Sequence, residues 1–192
     1  MADRRLTGAS GEHYVCYALA RQGWVATLTR EGLERTDILA VSTLSRRMVE
    51  LQVKAAAPAG KVSWMPGAKA FTPAFDHEWY VFIALTRDLT HAPTCYIVPR
   101  FHVAAATWIV HRNWLTHPDA QPGTRNTTLA QARITAEVWS GYEGRWDLLE
   151  HSTNSVPVLL PHWVRDRAGE PRVGLPPGHP WASALPPDWE GP

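Results

Sequence analysis

The stretch Thr36–Lys54, TDILAVSTLSRRMVELQVK, narrows the possible folds more than any other. Ile38–Val41 and Met48–Val53 are short apolar runs rich in strand formers, and the Ser42–Arg47 segment between them is polar, so the pattern predicts a β-hairpin. A turn centred near Ser45 sets Asp37 across from residues 52–54. Strand alternation then puts Glu50, Gln52 and Lys54 on one face, with neighbours roughly 7 Å apart, and the apolar Val49, Leu51 and Val53 on the other. An acid, an amide oxygen and an ammonium gathered at one end of a ribbon can hold a divalent cation and a phosphate. The same pattern also describes an ordinary solvated sheet face.

At 192 residues the chain has room for one domain with a proper core and an appendage. No apolar run approaches the length needed to cross a bilayer, and MADRRLTGAS has no apolar segment of the signal-peptide kind, which leads to the expectation of a cytoplasmic protein with no membrane partner. Cys16 and Cys95 are too far apart in sequence to form a zinc-type pair, and the histidines show no HExxH spacing. The net charge of +1 hides an asymmetry: residues 1–62 carry nine Lys and Arg against six Asp and Glu. That bias beside the hairpin suits a phosphate-bearing partner and equally suits a solvated surface.

In chain order, residues 7–22 read as a helix capped by Thr7 or Ser10, with Val15, Ala18 and Leu19 at helical spacing and Gly23 as the stop. Glu12 falls on the apolar stripe of that helix, where a carboxylate needs a partner or a cation, although the first turn of a helix also favours an anion. Trp24–Leu28 reads as a strand leading through a polar connection to Asp37. Ala55–Pro73 reads as a long loop in which Lys61, Trp64 and Lys69 could touch nucleic acid, or Trp64 could simply pack the loop onto the sheet; Arg35 joins them as a candidate nucleic-acid contact. Glu78–Leu85 is the most apolar strand and belongs inside the sheet, Thr94–Val98 is the next, and Pro99 opens a helix from Arg100 to about Trp114. A helical period at Ile134–Leu149 is weakened by Gly141 and Gly144. Nine of the sixteen prolines lie in the last 38 residues, which show no period and read as a tail that either wraps over the domain or docks on another protein.

The order of these pieces resembles the PD-(D/E)xK nuclease superfamily. GASGEHYVCYALARQGW is similar to that family's first helix with its acid, TDILAV to its Asp strand, and VELQVKA to its third core strand, in the branch where Gln replaces the second acid. The resemblance runs more loosely through YIVPRFHVAAA to GRWDLLE. It implies a restriction-endonuclease-like α/β/α sandwich with a central mixed β-sheet and an αβββαβ core over residues 1–150, followed by an irregular Pro/Trp-rich C-terminal extension over 151–192. Residue by residue, Asp37 matches the metal-binding acid, Gln52 the acid-or-Gln position, Lys54 the Lys, and Glu12 the helix-borne acid. Thr36 stands where the family's name has Pro, and Gln52 brings one negative charge fewer.

These residues lead to the expectation of an Mg²⁺- or Mn²⁺-dependent endonuclease acting on DNA. Asp37, Gln52 and Glu12 are its expected metal ligands, Lys54 completes the catalytic set, and Glu50 is an alternative ligand one step back on the same face. RNA as substrate and pairing of two copies are left open. The alternative is a nuclease-fold protein that binds nucleic acid or a partner protein without cutting, and a third reading is an interaction protein working through its tail.

Overall fold

The computed structural model describes residues 3–29, 34–58, 60–121, 123–187 and 189. Helix α1 spans Arg4–Arg21 and starts earlier than residue 7 because Asp3 is the cap: its side chain accepts the Arg5 N–H at 2.8 Å. Thr7, one of the two expected caps, instead turns its hydroxyl back onto the Asp3 carbonyl at 2.9 Å. The buried stripe of α1 is Gly11, Val15 and Leu19, so Glu12 lies beside it, half-buried, rather than on it. Gly11 sets how closely α1 approaches the sheet, because a Cβ there would stand 2.6 Å from the Ala55 Cβ.

The strands that follow are β1 (Trp24–Leu28), β2 (Ile38–Ser42), β3 (Met48–Ala56), β4 (Ser63–Trp64), β5 (Glu78–Ala84) and β6 (Thr94–Pro99). Five of them make one sheet in the order β1-β2-β3-β5-β6, with β3 and β5 parallel and the other neighbours antiparallel. Helix α2 (Arg100–Leu115) follows directly on β6. Strand β7 (Ile134–Thr135) pairs with β4 in a separate two-stranded ribbon. The fold is therefore mixed α/β, a central five-stranded mixed sheet flanked by helices.

Helix α1 covers the face that presents Val53 and Ile83, which lie near Gly11. Helix α2 covers the face that presents Tyr80, whose ring lies 5.0 Å from the Arg100 guanidinium carbon. Both faces of β3 are thus covered, and Gln52 is buried along with Leu51 and Val53, which corrects the expectation that only one face meets the core. Strand β5 lies between β3 and β6 and is buried from Glu78 to Ile83, as its unbroken apolar run predicts.

Two stretches depart from their sequence reading. The segment after β3 is no plain loop: it contains β4 and a 3-10 turn at Ala68–Phe71. The region after β7 is not an α-helix but two 3-10 segments, Ala136–Tyr142 and Trp146–Glu150, that place Trp139 flat against Phe82 at 4.8 Å.

The C-terminal stretch folds back onto α2 despite its prolines. It carries helix α3 (His162–Ala168), and Val156, Val158, Leu160, Val164, Val173, Trp181 and Trp189 belong to the same buried cluster as the sheet. Gly141 makes this possible locally, since a Cβ there would meet the Leu159 carbonyl oxygen at 2.3 Å. Trp108 Nε1 donates to the Val173 carbonyl at 3.0 Å, and Trp181 packs edge-on against Phe101 at 5.4 Å. Among the described residues no helix is long and apolar enough to cross a membrane.

Candidate active site

The sequence-predicted residues meet where β2 parts from β3. Ile38 pairs with Leu51, yet the Asp37 N–H also donates to the Leu51 carbonyl at 2.9 Å, so two successive residues address one partner. This is the arrangement of a β-bulge, which takes a side chain off the regular alternation and re-aims it. The Asp37 carboxylate consequently turns along the edge of β3, where its Oδ2 accepts the Val53 N–H at 2.7 Å and the Gln52 side-chain amide. It occupies the place a neighbouring strand would have taken, and its Oδ1 accepts no hydrogen bond among the described residues.

Past this point the edge of β3 is open, and groups from both faces of the sheet can reach it. Glu12 comes from the α1 side. Burial pushes its carboxyl above the usual 4.5, the Asp37 charge pushes it further, and His13 and Lys54 pull it back. Lys54 lies two residues beyond Gln52 on the α2 side, in register with Phe82. Burial pushes its amine below the usual 10.5; the Asp37 carboxylate opposes that, Lys69 and Arg100 reinforce it, and Glu12 opposes it more weakly. Glu12, Asp37 and Lys54 therefore feel one another's charge, and Gln52 is tied to Asp37 by hydrogen bonding.

Glu50 is engaged elsewhere: it accepts the Thr36 hydroxyl at 2.6 Å and lies 3.5 Å from His77 Nε2. Its carboxylate is engaged with these two partners one pair back from the open edge. Three of the four expected nucleic-acid contacts are also occupied within the fold. Arg35 is paired with Glu78 and Thr72, Lys69 donates to the Glu34 carbonyl, and Trp64 is buried with its Nε1 bonded to the Ile83 carbonyl at 3.2 Å. Trp64 offers no face to a base, because packing on Phe82 and Tyr96 uses it. Lys61 remains on the surface, 3.9 Å from an equally exposed Glu137.

The sequence reading missed the buried ion cluster behind the edge. Glu78 takes Arg35 on Oε1, lies 3.4 Å from Arg100 Nε on the same oxygen, and accepts the Phe75 N–H on Oε2 at 2.7 Å. Arg100 is fully enclosed, and its guanidinium also donates to the Lys69 carbonyl at 2.9 Å and the Arg35 carbonyl at 3.0 Å. It thereby ties the Arg35 backbone, two residues before Asp37, to the 3-10 turn that carries Lys69. One signal was available in the sequence: a cation in the first turn of a helix opposes the helix dipole and calls for an anionic partner.

A groove of about 650 Å³ adjoins the site and shares Lys54 with it; Arg4, Lys61 and Arg133 also line it. Among the described residues no three His, Cys, Asp or Glu side chains cluster as a metal centre. A cation at the β3 edge would rest on two carboxylates, Asp37 and Glu12, with the Gln52 amide oxygen and water. That number of carboxylates is what Mg²⁺ commonly takes from a protein.

No family model and no curated protein matches this chain. Among solved structures, that of a bacterial homing endonuclease is similar over 78% of this chain and 92% of its own, at 13% sequence identity and a TM-score of 0.42.

Proposed function

We propose that this chain is a DNA phosphodiesterase of the PD-(D/E)xK type that works with Mg²⁺ or Mn²⁺ at the open edge of β3. The observation that carries the reading is the re-aimed Asp37 carboxylate, which is bonded to Gln52 and electrostatically coupled to Glu12 and Lys54. The donor set suits a hard cation: the mutual repulsion of Glu12 and Asp37 is what such an ion would relieve. Gln52 would ligate through its oxygen, which requires its amide to be turned from the orientation that donates to Asp37, an exchange of two nearly isosteric atoms. When bound, the ion would lower the pKa of a water molecule and offset charge on the scissile phosphate.

The chain's own residues supply the remainder. Asp37 is held rigidly by the Val53 N–H, so its free oxygen keeps one position. Lys54, partly desolvated, presents its ammonium to the charge that builds on the non-bridging phosphate oxygens. The alternative role for Lys54 is as a neutral amine that accepts the proton of the attacking water, a form that its lowered pKa favours. Glu12 can orient that water from the opposite face of the sheet.

Nicking of supercoiled plasmid in Mg²⁺ or Mn²⁺ tests the reading. Wild type should cut, and Asp37→Ala and Lys54→Ala should each reduce the rate by roughly 10²–10³-fold. Cleavage unchanged by both substitutions removes the site. A second reading, binding without cutting, is favoured by the neutral Gln52 and its hydrogen bond to Asp37. It requires DNA affinity that is the same in chelator and in Mg²⁺, and no nicking at any metal concentration.

A further inference from the structure

Two cavities adjoin one another and share Arg133 as a common wall. The first is the groove of about 650 Å³ beyond Lys54; Arg4, Lys54, Lys61 and Arg133 line it, and among the described residues no Asp or Glu does. Its floor is β3 from Val53 to Ala56, the part of the strand that β2 has left. The second, of about 770 Å³, is lined by His111, Trp114, Asn126, Gln131 and the aliphatic Val110 and Ile134. The two differ in chemistry. The first offers cations to a chain of phosphates, and the second offers an aromatic ring with side-chain amides of the kind that hydrogen-bond base edges.

Several details of the second cavity fit a planar polar guest. Trp114 is 38% exposed, with the Arg125 guanidinium over one face of its ring, 5.4 Å from the centre. His111 is a buried wall of the cavity, bonded through Nε2 to the Thr127 carbonyl at 2.8 Å. The Gln131 side-chain oxygen is engaged by Thr128, which leaves its amide N–H₂ to donate. Cavities of this size fall within the range of small-ligand sites and are too small to enclose a duplex.

We propose that the two cavities form one track for single-stranded DNA, with the backbone phosphates on Arg4, Lys61 and Arg133 and an unpaired base against Trp114. Lys54 links the track to the β3 edge, so the strand presented for hydrolysis is one unpaired in the track, such as a locally melted stretch of supercoiled plasmid. This deepens the nuclease reading and rests on it for the fate of the strand, but strand binding is measured separately, with hydrolysis stopped by chelator.

The test is fluorescence anisotropy of a labelled oligodeoxythymidylate with the full chain in chelator, over a series of salt concentrations. Wild type should bind the single strand at least about tenfold tighter than a duplex of the same length. The double variant Arg4→Glu/Lys61→Glu should weaken binding and flatten the dependence of log affinity on log salt by roughly 0.7 for each phosphate no longer neutralised. Trp114→Ala should weaken binding about tenfold with the salt slope unchanged, because stacking releases no counterions. Arg46→Glu, in the closed turn of the β2–β3 hairpin, should leave both readouts as they are; circular dichroism confirms that each variant is folded, and Lys61→Gln serves if the double variant is not. Equal affinity for duplex and single strand, or binding indifferent to the groove and Trp114 substitutions, overturns the track. Track-dependent binding without metal-dependent nicking would leave the track standing and remove the phosphodiesterase; nicking with binding indifferent to the track does the reverse.

Discussion

The Asp37 carboxylate accepts the backbone N–H of Val53 at 2.7 Å, so a side chain closes the ladder that β2 abandons. Together with the Gln52 amide on the same oxygen, that hydrogen bond orients the acid and leaves its second oxygen to the open edge. It follows that Asp37 has a structural and a chemical task, and the two can be separated by substitution. Asp37→Asn retains an oxygen for the Val53 N–H, whereas Asp37→Ala leaves that donor unsatisfied and should cost about 1–3 kcal/mol more. Urea unfolding of the two variants checks the difference; equal stability would mean that the bond does not hold the edge.

Divalent cation binding should appear as stabilisation of the folded chain. At ten times its dissociation constant, Mg²⁺ adds about 1.4 kcal/mol to a protein that binds it only when folded. Thermal melts in Mg²⁺ against chelator should show a rise in Tm for wild type and none for Asp37→Asn. A rise of the same size in both would place the ion elsewhere.

Glu12 gives a pH signature. Its folded pKa is raised, first by burial and then by Asp37, so the native state holds the proton over an interval in which the unfolded chain releases it. Stability from this group therefore falls as pH rises from the usual 4.5 through the raised value, and the loss is complete above it. Glu12→Gln should raise Tm at neutral pH, with the gain fading below the ordinary carboxylate value. A gain that persists undiminished in acid would show that charge is not its origin.

Lys54 gives the complementary signature in alkali. Its lowered pKa means that the unfolded chain binds the proton more readily, so stability rises with pH between the folded value and the usual 10.5. Lys54→Met should raise Tm at neutral pH and progressively less in alkali, even though it removes the proposed activity. Melts across that range test the sign.

The C-terminal stretch should prove integral to stability. Trp181 is buried against Phe101, His102, His179 and Trp189, and Trp181→Ala should cost about 3–5 kcal/mol. A chain ending at His151 would uncover the side of α2 that carries Phe101 and Trp108, and should aggregate or melt at a much lower temperature. A truncated chain as stable as the full one would contradict the packing.

Local rules carried far in this sequence wherever neighbours in sequence are also neighbours in space. The β2–β3 hairpin, the buried β5 and the Pro99 start of α2 follow from strand propensity, an unbroken apolar run and the fixed φ of proline. The gathering of Asp37, Gln52 and Lys54 at one end of the ribbon follows from the same hairpin. Other features depended on partners distant in the chain. Glu50 looked free until Thr36 and His77 engaged it, and of the two roles open to Trp64 only contact with β5 decided for packing on the sheet. The Arg100–Glu78 cluster unites residues from strand and helix that no periodicity connects.

By itself, then, the sequence determined the strands of the five-stranded sheet, the hairpin and the identity of the groups at its open end, because alternation and turn chemistry act over a few residues. Only the tertiary structure decided how those groups face: a bulge at Asp37 turned its carboxylate along the edge, and Gly11 let α1 bring Glu12 down beside it. It also decided the place of the Pro-rich stretch, whose Trp181 and Trp189 gain their burial from α2 and from one another. The physical reason is the same in each case: burial and charge coupling are properties of the assembled surfaces, and no window of the chain contains both sides of the interface.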